Sequence, residues 1–271
     1  MRLLLTFMIV LASLTSPAWA ALKTQIIEYK QGDTVLEGYL AYDDALTFKR
    51  PGILVVHEWK GLNDYAKRRA DMLAQLGYIA FAADIYGKGI RPQTVADAGA
   101  TAGKYKADRS LLRARVNAGL DVLKSQPNVD ASQLAAIGYC FGGTAVLELG
   151  RSGADVKGIV SFHGGLSSPT PQDAKNIKAK VLALHGAADP FVKADEVAAF
   201  EKEMTDAKVN YRLIKYPGAM HGFTNPDNKG IDPPGALYNE AADKASWAEM
   251  KKFFLEIFPI QCTDWTMRVC R

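Results

Sequence analysis

The run Ile137-Gly138-Tyr139-Cys140-Phe141-Gly142-Gly143 sets a thiol between two glycines, after an apolar strand-like segment and before a helix-like one. A G-x-C-x-G pattern in that setting describes a sharp strand-to-helix turn. The glycines allow strand and helix to approach closely, and the residue between them is thrust outward at the helix start. Free N–H groups at a helix N-terminus favour a thiolate and a developing oxyanion alike. Without further support the same run can also be read as a Gly-rich turn around a buried cysteine, which behaves as a small hydrophobe. Asp189, in Leu184-His185-Gly186-Ala187-Ala188-Asp189-Pro190, and His221, in Gly218-Ala219-Met220-His221-Gly222-Phe223, supply that support, because each lies just beyond another apolar run. His221 is suited to take the Cys140 proton and return it to a leaving group, while Asp189 fixes the imidazole tautomer and stabilises the imidazolium.

These side chains meet only if the intervening elements deliver them to one edge of a sheet. Thr24 to Tyr29 and Val35 to Tyr42 read as a hairpin about Gln31-Gly32-Asp33. Continuous apolar runs follow at Ile53 to His57, Tyr78 to Ala83, Leu134 to Tyr139, Gly158 to Phe162 and Val181 to His185, with Tyr211 to Tyr216 as a more alternating, edge-like strand. Amphipathic helices are expected over Asp64 to Leu76, Arg109 to Ser125, Gly143 to Arg151, Ala194 to Ala207 and Asn239 to Phe258. This alternation predicts an α/β fold, a mostly parallel sheet with helices on both faces, whose ligand site lies in the strand-to-helix loops. The stretch 84–108, rich in Gly, Ala and Lys, is expected to be a long covering loop. No linker divides the chain, so residues 21–258 are expected to form one domain.

From about Gly38 to Phe258 the chain resembles the dienelactone hydrolase family of α/β-hydrolases, in which the chain order is also nucleophile, acid, histidine. The likeness rests on Gly52-Ile53-Leu54-Val55-Val56-His57-Glu58-Trp59-Lys60-Gly61-Leu62, on Ala82-Ala83-Asp84-Ile85-Tyr86-Gly87, on the Cys140 turn, and on the Asp189 and His221 segments. The resemblance implies a Cys140, Asp189, His221 triad. It also implies a role for Glu58 as the carboxylate that takes the thiol proton when substrate binds. A carboxylate beside a thiol keeps it protonated and less easily oxidised until then. The oxyanion donors implied are the backbone N–H groups of Phe141 and, from the family loop, Trp59. Family members that act on dienelactone hold its carboxylate with arginines, one of them soon after the histidine. Here that stretch reads His221-Gly222-Phe223-Thr224-Asn225-Pro226, without arginine, and Arg91 is the only arginine in 84–108. The substrate expected is a small ester or lactone, cleaved through a cysteine acyl-enzyme.

Composition and termini narrow the setting. The 271 residues are 48% hydrophobic and 23% charged, and 33 Lys plus Arg against 29 Asp plus Glu give a net charge of +4, too small a bias for a nucleic-acid surface. Residues 1–20 carry one charge, Arg2, then an apolar run from Leu3 to Leu14 and Ala18-Trp19-Ala20, the pattern of a cleaved secretory signal too short for a permanent membrane span. Export to a periplasmic or extracellular, oxidising space would let Cys262 and Cys270 pair in the tail 259–271 and leave Cys140 free. His57, His163 and His185 end apolar strands, yet no H-E-x-x-H or paired-Cys spacing accompanies them, so no metal or other cofactor is expected. Two other classes use the same residues: a thiol redox or sensor protein built on Cys140, and an inactive ligand-binding protein on a hydrolase scaffold.

Overall fold

In the computed structural model, which describes residues 22–258, ten strands and six α-helices alternate along the chain. A hairpin of β1 (Leu22–Gln31) and β2 (Thr34–Asp43) opens the fold, followed by β3 (Arg50–Val56), α1 (Asp64–Gln75) and β4 (Ile79–Ala83). Then come α2 (Val95–Ala107), α3 (Arg109–Lys124), β5 (Val129–Tyr139), α4 (Phe141–Arg151), β6 (Gly158–Phe162), a 3₁₀ turn (Pro171–Asn176) and β7 (Lys180–Gly186). The chain continues through α5 (Ala194–Asp206), β8 (Tyr211–Tyr216), the short pair β9 (Lys229–Ile231) and β10 (Pro234–Leu237), and α6 (Glu240–Ile257).

Eight strands form one sheet in the order β1-β2-β4-β3-β5-β6-β7-β8. Pairing is antiparallel from β1 through β2 to β4 and parallel from β4 across to β8. This is the mostly parallel α/β sheet expected from the alternation, in the architecture that the resemblance to α/β-hydrolases implies. The expected strand β8 does lie at the sheet edge, paired only with β7.

The central strands read as unbroken apolar runs because both faces are covered, and their alternate residues serve different layers. In β3, Leu54 and Val56 join the core under α3 and α4, while Ile53 and Val55 join the core under α1 and α6. β5 divides in the same way, with Leu134 and Ala136 on one side and Ala135, Ile137 and Tyr139 on the other. From β3 the chain turns outward to β4 on one side and to β5 on the other. The carboxyl ends of β3 and β5 therefore flank the switch point where open α/β sheets leave a crevice.

Two expectations need correction. The stretch 84–108 is no plain loop: it contains α2, which buries Ala98, Ala102 and Tyr105, and whose Tyr105 hydroxyl donates to the Tyr86 carbonyl at 3.0 Å. Helix α4 also starts earlier than Gly143, at Phe141, so Cys140 itself is its N-cap residue.

Candidate active site

Cys140 sits at φ 54° and ψ −112°, a left-handed backbone conformation that few side chains adopt. The flanking glycines make that turn possible. A Cβ on Gly138 would lie 2.0 Å from the Gly142 carbonyl oxygen, and one on Gly142 would lie 2.2 Å from that of Val56. Only backbone fits at either position, so the turn is pressed between β3 and its own helix with the thiol facing the crevice.

The other residues arrive from neighbouring strand ends. Asp189 follows β7, with Oδ1 accepting the Phe191 and Val192 N–H groups at 2.8 and 3.3 Å. Its Oδ2 lies 2.8 Å from His221 Nδ1, and His221 Nε2 lies 3.0 Å from Cys140 Sγ. Asp189, His221 and Cys140 thus form a continuous hydrogen-bonded line with His221 in the middle. Burial disfavours a charged His221, but Cys140 and Asp189 on either side overcome this and raise the imidazole to about 10.

Glu58 follows β3 and is buried, and its Oε2 accepts a hydrogen bond from Asn225 Nδ2 at 2.6 Å. Burial lifts its carboxyl to about 7, against the lowering effects of Asn225 and His221. The structure therefore pairs the thiol with His221 and Glu58 with Asn225, and no hydrogen bond joins Glu58 to Cys140 among the described residues. The N–H groups of Trp59 and Phe141 have no hydrogen-bond acceptor among the described residues, which leaves both available to an oxyanion. The Trp59 carbonyl is fixed by the Tyr86 hydroxyl at 3.0 Å.

The remaining histidines divide by partner. His57 donates from Nδ1 to the Glu58 carbonyl at 2.6 Å and accepts the Ile85 N–H at Nε2 at 3.2 Å, and burial lowers it to about 4. It is a neutral brace for the Glu58 loop. His163 accepts the Cys140 N–H at Nδ1 at 3.1 Å and donates from Nε2 to Thr224 Oγ1 at 2.7 Å. Burial holds His163 well below its ordinary range, as that neutral tautomer requires. His185 is buried with Nδ1 unpartnered among the described residues. No group of three or more His, Cys, Asp or Glu among the described residues could hold a metal ion.

Sequence reasoning did not single out Asn225, Thr224 or Phe191. The Phe191 ring stands edge-on to His221 with centroids 5.2 Å apart. Cys262 and Cys270, and the boundary after Ala20, lie outside the described residues.

The profile of the dienelactone hydrolase family matches residues 36–258. A dienelactone hydrolase-like promiscuous phosphotriesterase from metagenomic libraries has a solved structure that superposes with a TM-score of 0.85 at 40% identity, covering 88% of this chain and 99% of that one. A Synechocystis protein with a provisional carboxymethylenebutenolidase assignment is 27% identical over 86% of this chain and 96% of its own. The dienelactone hydrolase of Anabaena variabilis superposes with a TM-score of 0.61 over 85% of this chain and 98% of that one, and at 20% identity it speaks to the fold alone.

Proposed function

The chain belongs to the dienelactone hydrolase family, and from that membership we propose that it is an exported hydrolase that cleaves a small ester or lactone through a thioester on Cys140. The observation that carries this reading is the bridging of Cys140 Sγ and Asp189 Oδ2 by the two nitrogens of His221, at 3.0 and 2.8 Å.

The Cys140 thiolate attacks the carbonyl carbon, and charge moves onto the carbonyl oxygen, which the Phe141 and Trp59 N–H groups stabilise. Collapse expels the alkoxide, which takes the proton from His221 Nε2 and leaves the acyl group on sulfur. His221, neutral again, removes a proton from water, and the hydroxide releases the acid and regenerates the thiolate with its imidazolium. Asp189 retains its charge throughout and holds the Nδ1–H tautomer. Glu58 receives the thiol proton whenever Cys140 rests protonated, and its raised affinity for protons near neutrality suits it to that exchange. The redox-sensor reading would leave the His221–Asp189 pair without a role.

The 40% identity to a promiscuous phosphotriesterase favours one extension: the same thiolate attacks phosphorus in a neutral phosphotriester, with the same two N–H groups holding the phosphoryl oxygen. Export rests on the residue pattern of 1–20, and the pairing of Cys262 with Cys270 on their place in the tail of an exported chain.

Purified protein assayed on short-chain 4-nitrophenyl esters, lactones and a phosphotriester tests the chemistry. Cys140→Ala is expected to abolish turnover, and Asp189→Asn or His221→Ala to lower it by roughly three to four powers of ten. Full activity in Cys140→Ala would remove the mechanism. Intact mass of the exported product is expected to correspond to a chain starting at Ala21 with one disulfide. A product starting at Met1, or peptides joining Cys140 to a tail cysteine, would overturn export or the pairing.

A further inference from the structure

Phe191 combines two properties that rarely coincide. It is a large apolar side chain left 49% exposed, and its ring touches His221 edge-on at 87°. Its backbone is held firmly, because its N–H donates to Oδ1 of Asp189, the carboxylate whose other oxygen orients His221. Gly235 of β10 closes behind it, so near that a Cβ there would lie 2.6 Å from Pro190 and 3.4 Å from the Phe191 ring. An exposed aromatic face fixed to the histidine of a hydrolytic site is a surface for part of the substrate.

The charge around that face selects which part. A cavity of about 380 Å³ opens beside Phe191, lined also by Ser167, Ser168, Lys193, Asp195 and Glu196, two carboxylates to one ammonium. Arg69 and Arg91 reach the loops of the site, and each is engaged. Arg69 donates to the Thr224 carbonyl and to Asp243, and Arg91 to the Leu62 and Ile90 carbonyls while pairing with Asp84. In the crevice itself Glu58 has only an amide partner. A substrate carboxylate would meet Asp195 and Glu196, the latter also accepting the Leu166 and Ser167 N–H groups, at the cavity and Glu58 in the crevice, with Lys193 the one cation of the cavity lining and neither Arg69 nor Arg91 free to offset them.

Resting on the ester-hydrolase reading above, we propose that the site selects neutral esters whose apolar acyl group lies on Phe191, and discriminates against acyl groups that carry a carboxylate. This names a substrate class. An uncharged acyl chain of several carbons, or a flat ring, packs on the aromatic face while its carbonyl reaches Cys140.

The test compares kcat/KM at pH 8 for 4-nitrophenyl acetate, hexanoate and hemiadipate, the last placing a carboxylate where hexanoate has a methyl group. Hexanoate is expected to exceed hemiadipate by about tenfold or more, and Phe191→Ala to shrink the hexanoate-to-acetate ratio about fivefold, in line with the worth of a few methylenes in an apolar site. Phe191→Leu should retain most of that ratio, which separates lost apolar surface from a disturbed Asp189 loop. Hemiadipate turned over as well as hexanoate, or a ratio unmoved in Phe191→Ala, would overturn this inference while the hydrolase reading stands. No turnover of any of the three by the unmodified enzyme would overturn both.

Discussion

Glu58 is held where its ionised form is disfavoured: burial lifts the carboxyl to about 7, and the Asn225 amide and the His221 imidazolium offset only part of that. Its affinity for protons is therefore higher in the folded chain than in the unfolded one, where a glutamate titrates near 4.5. Between those two values the folded state binds the extra proton, so stability falls as pH rises through the window, and the full penalty persists above it. Glu58→Gln, which keeps the shape and removes the charge, is expected to raise the unfolding temperature more at pH 8 than at pH 4, with a gain on the order of 3 kcal/mol at the higher pH. The same variant should lose turnover and any activity step near pH 7. Thermal unfolding at the two pH values beside a pH–rate profile checks both, and an equal stability shift at pH 4 and pH 8 would mean that the charge is not the cause. The residues of this site were readable in unequal measure. Cys140, Asp189 and His221 each carry a local signature of glycines and strand ends, so the sequence could nominate them, whereas Glu58 was nominated by the family resemblance. Asn225 and His163 could not be assigned roles from sequence, because their partners Glu58 and Thr224 stand 167 and 61 positions away and nothing local encodes those contacts.

Helix α4 carries Cys140 at its N-cap and a buried charge cluster at its other end. Arg151, fully buried, donates from Nε and Nη2 to both oxygens of Glu203 on α5 at 2.8 and 2.7 Å, and from Nη1 to Glu148 at 3.0 Å. It also donates to the Leu166 carbonyl at 3.1 Å, in the loop that leads to the Phe191 cavity, and Arg113 of α3 closes on Glu148 at 2.8 Å. Arg151→Met leaves Glu203 without that partner in an apolar setting and is expected to cost about 3–5 kcal/mol, whereas Arg151→Met with Glu203→Leu should recover most of the loss. Urea denaturation of both variants measures it; a single variant within about 0.5 kcal/mol of the parent would show that water reaches the cluster. Most elements were legible, since β3 to β8 and five helices have strong apolar runs or stripes. Helix α2 escaped because Gly99 and Gly103 interrupt it and its buried stripe is only Ala98, Ala102 and Tyr105. The pair β9 and β10 escaped because Lys229-Gly230-Ile231-Asp232-Pro233-Pro234-Gly235 reads entirely as turn, and its pairing depends on contact with the His221 segment.

Across the whole molecule a line of polar contacts joins the Cys140 turn to the helices on one face of the sheet. The Cys140 N–H is shared between the Phe162 carbonyl at 3.0 Å and His163 Nδ1 at 3.1 Å, and His163 Nε2 passes a hydrogen bond to Thr224 Oγ1 at 2.7 Å. Thr224 Oγ1 meets the Tyr65 hydroxyl of α1 at 2.5 Å, and that hydroxyl accepts from Arg69 Nε at 3.2 Å. Arg69 in turn holds the Thr224 carbonyl at 2.7 Å and Asp243 of α6 at 2.5 Å. Four distant stretches are thereby fixed to one another: the loop after β6, the loop that presents His221, α1 and α6. Because His163, Thr224, Tyr65 and Arg69 are all buried, removing one partner strands the next, and the losses should not add. Thr224→Val leaves His163 Nε2 and the Tyr65 hydroxyl short of a partner, while Tyr65→Phe leaves only Thr224 and Arg69 to readjust. If the line acts as a unit, the double variant should lose less stability than the sum of the two single losses, by about 0.5–3 kcal/mol, and Thr224→Val should lower kcat because it loosens the His221 loop. Denaturation of the four proteins of this cycle, with kcat measured on each, gives the answer. Losses that add to within about 0.3 kcal/mol would mean that the contacts stabilise the fold independently and that the triad is positioned by its own turn and loops alone.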